Sequence, residues 1–250
     1  MRLTPGGRLA LALAALAAIA MALGGCESTQ EESAQLEARA KREKALHPTL
    51  AAKGLSIAHQ STKVKVLDAS VPHSSEGAAA AITVVNDSGQ ALRAVPIAIT
   101  VRSAAGQTLY QNNGAGLEAS LTQISALAAH GSLTWVDDQL PAGQTPASVT
   151  AKLGEAPAAS GAVPRIEVTG VHLAEASTGE AAGTVHNASS VTQQHLVVYV
   201  TARSGARVVA AGRAVLASLE AGASLPFQVF LVGSPAGAKL TASAPPTTFG

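Results

Sequence analysis

Apolar and polar residues alternate along much of the chain after residue 62, with the period of two that is typical of β-strands. The clearest run places Val95, Ile97, Ile99 and Val101 on one face of a single strand. Turn-forming residues separate the alternating runs, so the pattern predicts an all-β fold of short strands. The predicted strands are 63–71, 79–86, 93–102, 107–111, 132–136, 147–153, 165–173, 181–187, 194–203, 207–211, 224–231 and 238–243.

The second half of this region repeats the first, because matching residues occur in the same order in both halves. We therefore predict two tandem immunoglobulin-like β-sandwiches over 63–154 and 165–243. A linker rich in Gly, Ala, Pro and Ser would join them over 155–164, and a tail would follow over 244–250. The matches are Thr83-Val84 with Thr184-Val185, Asn86-Asp87-Ser88 with Asn187-Ala188-Ser189, Arg102-Ser103 with Arg203-Ser204, Trp135 with Phe227, and Pro141-Ala142-Gly143 with Pro235-Ala236-Gly237.

The chain begins with the pattern of a secretory signal peptide over residues 1–25. Arg2 and Arg8 precede an apolar run, 9–23, that contains only Leu, Ala, Ile and Met. A helix of that length spans roughly 22 Å, which is less than the ~30 Å hydrocarbon core of a bilayer. A simple membrane-spanning helix is therefore the weaker interpretation.

The end of this run, Leu23-Gly24-Gly25-Cys26, resembles the lipobox of bacterial lipoproteins. The resemblance implies cleavage between Gly25 and Cys26 and attachment of a diacylglyceryl group to the Cys26 thiol. Two or three acyl chains hold a protein stably at a membrane, whereas one holds it only marginally. An ordinary cleaved signal with a chance cysteine and an uncleaved helical anchor are the alternatives.

Residues 26–62 are predicted to form a lipid-anchored stalk and a connector. Residues 30–46 are good helix formers, and Glu37 and Lys41 have the favourable i, i+4 spacing. His47-Pro48 would end the helix, because the residue before a proline disfavours the α-region. Since the helix lacks an apolar stripe, a solvated spacer is the simplest interpretation, with a partner-binding helix as the alternative.

Composition excludes several classes of protein. Removal of residues 1–25 takes Lys+Arg from 17 to 15 against 16 acids, so the formal charge becomes −1 and gives no sign of nucleic-acid binding. Cys26 is the only cysteine, which excludes intramolecular disulfides and zinc–thiolate sites. Aromatic residues make up 2% of the chain, so the cores must consist mainly of aliphatic side chains.

The order of strand, Asn-x-Ser turn, alternating strand and following glycine resembles the FxLYD and related immunoglobulin-like domains of bacterial envelope lipoproteins, over most of 63–243. The Phe-x-Leu-Tyr-Asp segment itself is absent, and residues 100–104 and 201–205 stand in its place. The resemblance implies an immunoglobulin-like sandwich and supplies no catalytic residues.

His186 and His195 are the weak candidates for a metal site, because alternation puts both on an outward face near the two ends of a strand–turn–strand unit. A third ligand is not indicated, and two solvated histidines are the simpler interpretation. Asp137 and Asp138 are adjacent, so a strand would point them to opposite faces and separate them as a catalytic pair. Asn86 and Asn187 are interpreted as turn residues.

These features predict a non-enzymatic lipoprotein on the extracytoplasmic face of a cell membrane, without a cofactor. Its sandwiches would act as protein- or envelope-binding modules or as spacers. A lipoprotein that delivers a ligand or metal from the groove between the sandwiches is the second hypothesis. An enzyme is the third, since sandwich folds can carry catalytic sites.

Overall fold

Antiparallel β-strands form nearly all of the regular structure in the computed structural model, which describes residues 54–175 and 179–250, and the predicted all-β class is confirmed. The first half contains β1 (Val64–Ser70), β2 (His73–Ser74), β3 (Gly77–Asn86), β4 (Leu92–Arg102), β5 (Thr108–Gln111), a 3-10 helix (Ala119–Leu121), β6 (Gln123–Leu127), β7 (Ser132–Leu140) and β8 (Ser148–Leu153). The second half contains β9 (Ile166–Glu175), β10 (Glu180–Asn187), β11 (Gln193–Ser204), β12 (Arg207–Leu219), β13 (Ser224–Phe230), β14 (Val232–Gly233) and β15 (Lys239–Ser243). The predicted signal peptide, Cys26 and the stalk helix lie outside the described residues.

Each half folds as two antiparallel sheets. In the first half, β3 pairs with β1, β2 and β7, whereas β4 pairs with β5, β6 and β8. In the second half, β10 lies between β9 and β13, and the order of the other sheet is β14-β12-β11-β15. Strands A, B and E of an immunoglobulin sandwich share a sheet, as do strands C and F, and both halves follow this arrangement.

The apolar residues of the two alternating runs lie in the two cores, as the pattern predicts. Val95, Ile97, Ile99 and Val101 are all buried in the first half. Their repeat counterparts in β11 are buried in the second half, namely Leu196, Val198, Val200 and Ala202. Trp135 and Phe227 are buried at matching positions as well, so aliphatic strands close over one large aromatic side chain in each half.

Two central strands are buried on both faces, which alternation alone does not predict. Residues 78–82 of β3 and 196–202 of β11 are buried without interruption. Val197 and Tyr199 of β11 belong to the hydrophobic cluster of the first half. The outer face of the β11 sheet therefore packs against the first half, and the run of alanines in β3 leaves room for it.

Several segments differ from the prediction. The sequence pattern missed β6, and β12 continues to Leu219, well beyond its predicted end. The predicted linker follows the first half, because the Arg93 N–H donates to Pro157 O at 3.1 Å and the Ala159 N–H donates to Ala91 O at 2.8 Å. The predicted tail is also bonded, since the Gln193 side chain accepts the backbone N–H groups of residues 247 and 248.

Asn86 is the turn residue that the sequence predicts, and its buried side chain also joins two turns through hydrogen bonds, an arrangement that we call a latch. Its Nδ2 donates to the carbonyl oxygens of Gln90 at 2.7 Å and Ala128 at 2.9 Å. Its Oδ1 accepts from the backbone N–H of Ser88 at 3.0 Å and from the Ser88 hydroxyl at 2.7 Å. One side chain thus ties the turn after β3 to the turn before β7.

Asn187 makes the same latch in the second half. Its Nδ2 donates to the carbonyl oxygens of Val191 at 2.9 Å, Leu219 at 3.1 Å and Glu220 at 3.1 Å. Its Oδ1 accepts from the backbone and hydroxyl of Ser189. The Asn-x-Ser repeat therefore has a structural cause, because each buried amide satisfies carbonyls that would otherwise lose water without a partner.

We expect Asn86→Ala and Asn187→Ala each to lower the free energy of unfolding by about 3 kcal/mol, because several buried groups lose their partners. Urea denaturation followed by circular dichroism measures the change. The exposed Asn113→Ala is the matched control and should stay within about 0.5 kcal/mol of the parent. Equal, small effects for all three variants would contradict the latch.

Candidate functional site

The predicted lipid-attachment site, Cys26 with the cleavage position at Gly25, lies outside the described residues and stays a prediction. Within residues 54–175 and 179–250, no helix combines the length and apolarity needed to cross a bilayer.

The two histidines singled out by the sequence do not face each other across paired strands. His186 lies on β10, which pairs with β9 and β13, whereas His195 lies on β11, which pairs with β12 and β15. The His186 Nδ1 is 3.0 Å from the Ser224 hydroxyl and 3.2 Å from Ala223 O, so that ring is held locally. The two residues follow one another along a strand–turn–strand unit, as the sequence indicates, but β10 and β11 belong to different sheets.

The backbone conformation of His195 is the same as that of its repeat counterpart, which is not a histidine. Its φ is 50°, and its repeat counterpart Ala94 has a φ of 49°. Both copies therefore adopt the same left-handed kink with different side chains, which is a feature of the fold. In the part of the chain that the structure describes, no group of three or more His, Cys, Asp or Glu side chains is arranged to hold a metal ion.

The densest group of polar side chains lies where the two halves meet, around Arg213 of β12. The Arg213 Nε donates to Asp138 Oδ1 at 3.1 Å, and the Arg213 backbone N–H donates to Asp138 Oδ2 at 3.2 Å. Its Nη1 donates to the Ser120 hydroxyl at 2.8 Å, and its Nη2 lies 3.8 Å from a Glu118 carboxylate oxygen. The Arg213 side chain is 7% exposed, so this cation is largely withdrawn from water.

Trp135, in the core of the first half, holds Ser120 of this polar group in place. Its indole Nε1 donates to the backbone oxygen of Ser120 at 2.9 Å, while the hydroxyl of that serine accepts from Arg213. The 3-10 helix that carries Ser120 is thus fixed on one side by the core and on the other by the second half.

Asp137 lies beside this cluster and has a different partner from Asp138. The Tyr110 hydroxyl donates to Asp137 Oδ2 at 2.9 Å, and the Gln139 backbone N–H donates to Oδ1 at 3.0 Å. Burial raises the pKa of the Asp137 carboxyl, although its two hydrogen bonds and the Arg213 charge oppose that shift. The separate partners of Asp137 and Asp138 agree with the opposite faces that strand geometry predicts.

Both tyrosines of the chain lie at this junction. Tyr199 of β11 is 2% exposed and is the register partner of Arg213 across the β11–β12 pair. Burial raises the pKa of Tyr199 and of Tyr110, and in Tyr110 the Asp137 charge adds to the rise. Both phenols therefore stay neutral at physiological pH.

The buried polar atoms of the cluster have partners within the chain. Among the described residues, every buried side-chain nitrogen and oxygen has a hydrogen-bond partner. The arrangement therefore satisfies its polar atoms within the chain and holds the two sandwiches together. The sequence pattern did not identify Arg213 as a buried residue. The available signal was that Arg213 is the single charged residue in the apolar run 208–215.

Arg203 adds a second contact between the halves. Its Nη2 donates to the Thr83 hydroxyl at 2.9 Å and lies 3.8 Å from an Asp68 carboxylate oxygen. Its repeat counterpart Arg102 is exposed and donates to Gly106 O within its own turn. Arg203 also donates to Ala206 O in its own turn at 2.9 Å, so the repeated arginines share the turn contact and differ in the contact between the halves.

Comparisons with known proteins add little to this description. No protein-family model matches the chain, and no curated protein matches it. Among solved structures, the transglutaminase of red sea bream matches with 10% sequence identity and a TM-score of 0.20. The match covers 75% of this chain and 29% of the transglutaminase chain, so this chain spans less than a third of that protein. At this TM-score the likeness supports no conclusion about activity.

We expect Arg213→Met to lower the free energy of unfolding by about 3–5 kcal/mol, because the Asp138 carboxylate loses its cation at a largely dry site. Chemical denaturation measures the loss, and exposed Arg93→Met should change stability by no more than about 0.5 kcal/mol. Adding Asp138→Leu to Arg213→Met should recover part of the loss, because the unpaired charge is removed as well. A single variant as stable as the Arg93 control would contradict the buried pair.

The raised pKa of Asp137 predicts an unusual sign of pH dependence. Because the folded state binds this proton at a higher pH than the unfolded chain does, the contribution of Asp137 to stability increases as pH falls through its raised pKa. Denaturation midpoints of the parent and of Asp137→Asn, measured from neutral to mildly acidic pH, isolate that contribution. The parent should gain relative to Asp137→Asn as pH falls, while Asn113→Ala, which removes no titrating group, should follow the parent. If the parent instead loses stability relative to Asp137→Asn as pH falls, the pKa of Asp137 is not raised in the folded state.

Proposed function

We propose that this chain is a non-enzymatic bacterial lipoprotein, held at the extracytoplasmic face of a membrane by acyl chains on Cys26. Its two sandwiches serve as a protein- or envelope-binding module kept at a fixed distance from the bilayer. The observation that carries the proposal is the Leu23-Gly24-Gly25-Cys26 segment, in which the only cysteine follows an apolar run and small residues.

The junction between the sandwiches supports the role of a stiff spacer. Tyr199 and Arg213 are withdrawn from water, and Arg203 adds a cation–carboxylate contact from the second half to Asp68 in the first. Sandwiches joined by a flexible linker alone would move independently, whereas a buried polar and apolar contact holds one orientation. A surface on the second sandwich therefore stays in a defined position relative to the first.

Exposed apolar side chains support the binding role. Phe230 is 69% exposed and Leu67 is 61% exposed, and these are the two most exposed large apolar side chains in the described residues. Phe230 is one of only three phenylalanines in a chain with few aromatic residues. Aromatic residues are enriched in protein–protein interfaces relative to the rest of the surface.

The delivery hypothesis has less support, because the place expected to form a groove is filled. Tyr199, Arg213 and Ala81, which lie at the junction, are closed over by neighbouring side chains. An open depression lies away from the junction, in the first half, between Ser103 and Thr145. A carried ligand would need a site other than the junction.

The anchor predicts that Cys26→Ala abolishes incorporation of a labelled fatty acid and releases the chain from the membrane fraction, since no other cysteine can accept the lipid. Metabolic labelling followed by fractionation measures both effects. A chain that begins at Glu27 behind an unrelated cleavable signal is the matched soluble control. Label on the Cys26→Ala variant would refute lipidation at this residue.

The same strains test the binding role. Crosslinked envelopes from the parent should yield a specific partner that is lost in Phe230→Ser, while Val215→Ser, at an exposed side chain with no proposed role, reports on general surface effects. If lipidation is normal and no partner exceeds background, the binding role fails and the anchor stands. Native mass spectrometry of the soluble control would reveal a bound small molecule and so favour delivery.

A further inference from the structure

One asparagine differs from the other three in the chain. Asn86, Asn112 and Asn187 are fully buried, whereas Asn113 is exposed in the turn after β5. Asn113 is also the only asparagine followed by glycine, because Asp87, Asn113 and Ala188 follow the others. Exposure and a following glycine remove the two obstacles to attack by the backbone on an asparagine side chain.

We propose that Asn113-Gly114 is a site of spontaneous covalent modification, at which Asn113 converts to aspartate and isoaspartate. The backbone nitrogen of Gly114 loses its proton and attacks the Asn113 side-chain carbonyl carbon. A new C–N bond closes a five-membered succinimide, the bond to the side-chain nitrogen breaks, and ammonia leaves with the proton. Water then adds to either ring carbonyl, which gives aspartate or isoaspartate without an oxidant or reductant.

Neighbouring Asn112 shows what protects an asparagine in this fold. Its Oδ1 accepts the Ile99 backbone N–H at 2.7 Å, and its Nδ2 donates to Ile97 O at 2.8 Å and Leu121 O at 2.7 Å. These bonds fix the amide group and keep it from turning toward the next backbone nitrogen. Asn86 and Asn187 are fixed in the same way by their latches.

The modification site lies on the segment that reaches the junction. Isoaspartate adds one carbon to the main chain at residue 113, between the buried Asn112 and the side chains of Glu118 and Ser120 that contact Arg213. The backbone is also tightly packed there, since a Cβ on Gly54 would lie 1.6 Å from Asn113 O. Conversion at Asn113 therefore disturbs both the packing of Gly54 and the bonds that hold the second sandwich.

The test is to age the purified full chain in mildly alkaline buffer, which favours the deprotonated backbone nitrogen. Mass spectrometry of the tryptic peptide 103–152 should show exchange of an amide NH₂ for OH at Asn113 alone. Protein isoaspartyl methyltransferase should label the aged chain and leave the fresh chain unlabelled. The melting temperature of the aged parent should fall below that of the fresh parent.

Two variants serve as controls. Asn113→Gln should abolish the modification and keep its melting temperature through ageing. Gly114→Ala should slow the reaction several-fold, and the alanine fits because its Cβ would lie 3.9 Å from the Leu117 side chain and φ is outside the left-handed range. No modification at Asn113, or reaction at Asn112 instead, would overturn the proposal. Modification without a change in melting temperature would overturn the link to the junction.

Discussion

The arrangement of the two sandwiches depends on a charged side chain that is kept almost entirely out of water. Removing the Arg213 guanidinium from water costs several kcal/mol, and that cost is offset only when the partner geometry is good. Asp138 supplies an acceptor to the side chain and another to the backbone of the same arginine, while Ser120 takes a third donor. Any rotation between the halves would break these bonds together, so the orientation is specified as well as stabilised.

The duplicated parts of the fold show which features belong to the domain and which belong to the pair. Asn86 and Asn187 make the same contacts, and Ala94 and His195 share a left-handed backbone, so these features serve each sandwich separately. Arg102 and Arg203 each donate to a backbone oxygen of the following turn, but only Arg203 also contacts the other half. The Asn contacts and the left-handed turn residue thus belong to each sandwich, whereas the bonds from Arg203 to Thr83 and Asp68 occur only between the two.

Much of the fold could be predicted from period-two alternation, because burial of one strand face leaves a direct mark on the sequence. The alternating run in β4 and its counterpart in β11 gave the cores and the repeat. Strand β6 was missed because Gln123–Leu127 is short and its burial depends on pairing with β4. The junction was missed because Ser120, Asp138 and Arg213 are far apart in sequence, and only tertiary structure brings them together. Burial of both faces of β11 was missed for the same reason, since alternation cannot show what covers an outer face.

The contact between the halves is heterologous, since the β3–β7 face of the first sandwich meets the β11–β12 face of the second. Contacts of this kind can continue indefinitely when like units follow one another. The repeat counterparts of the joining residues differ from them in size or charge. Pro96 and Ala98 stand where Val197 and Tyr199 make the joint, and Glu180 stands where β3 has Ala79. The two outer faces that do not take part in this contact thus lack the aromatic side chain on one side and carry a charge on the other.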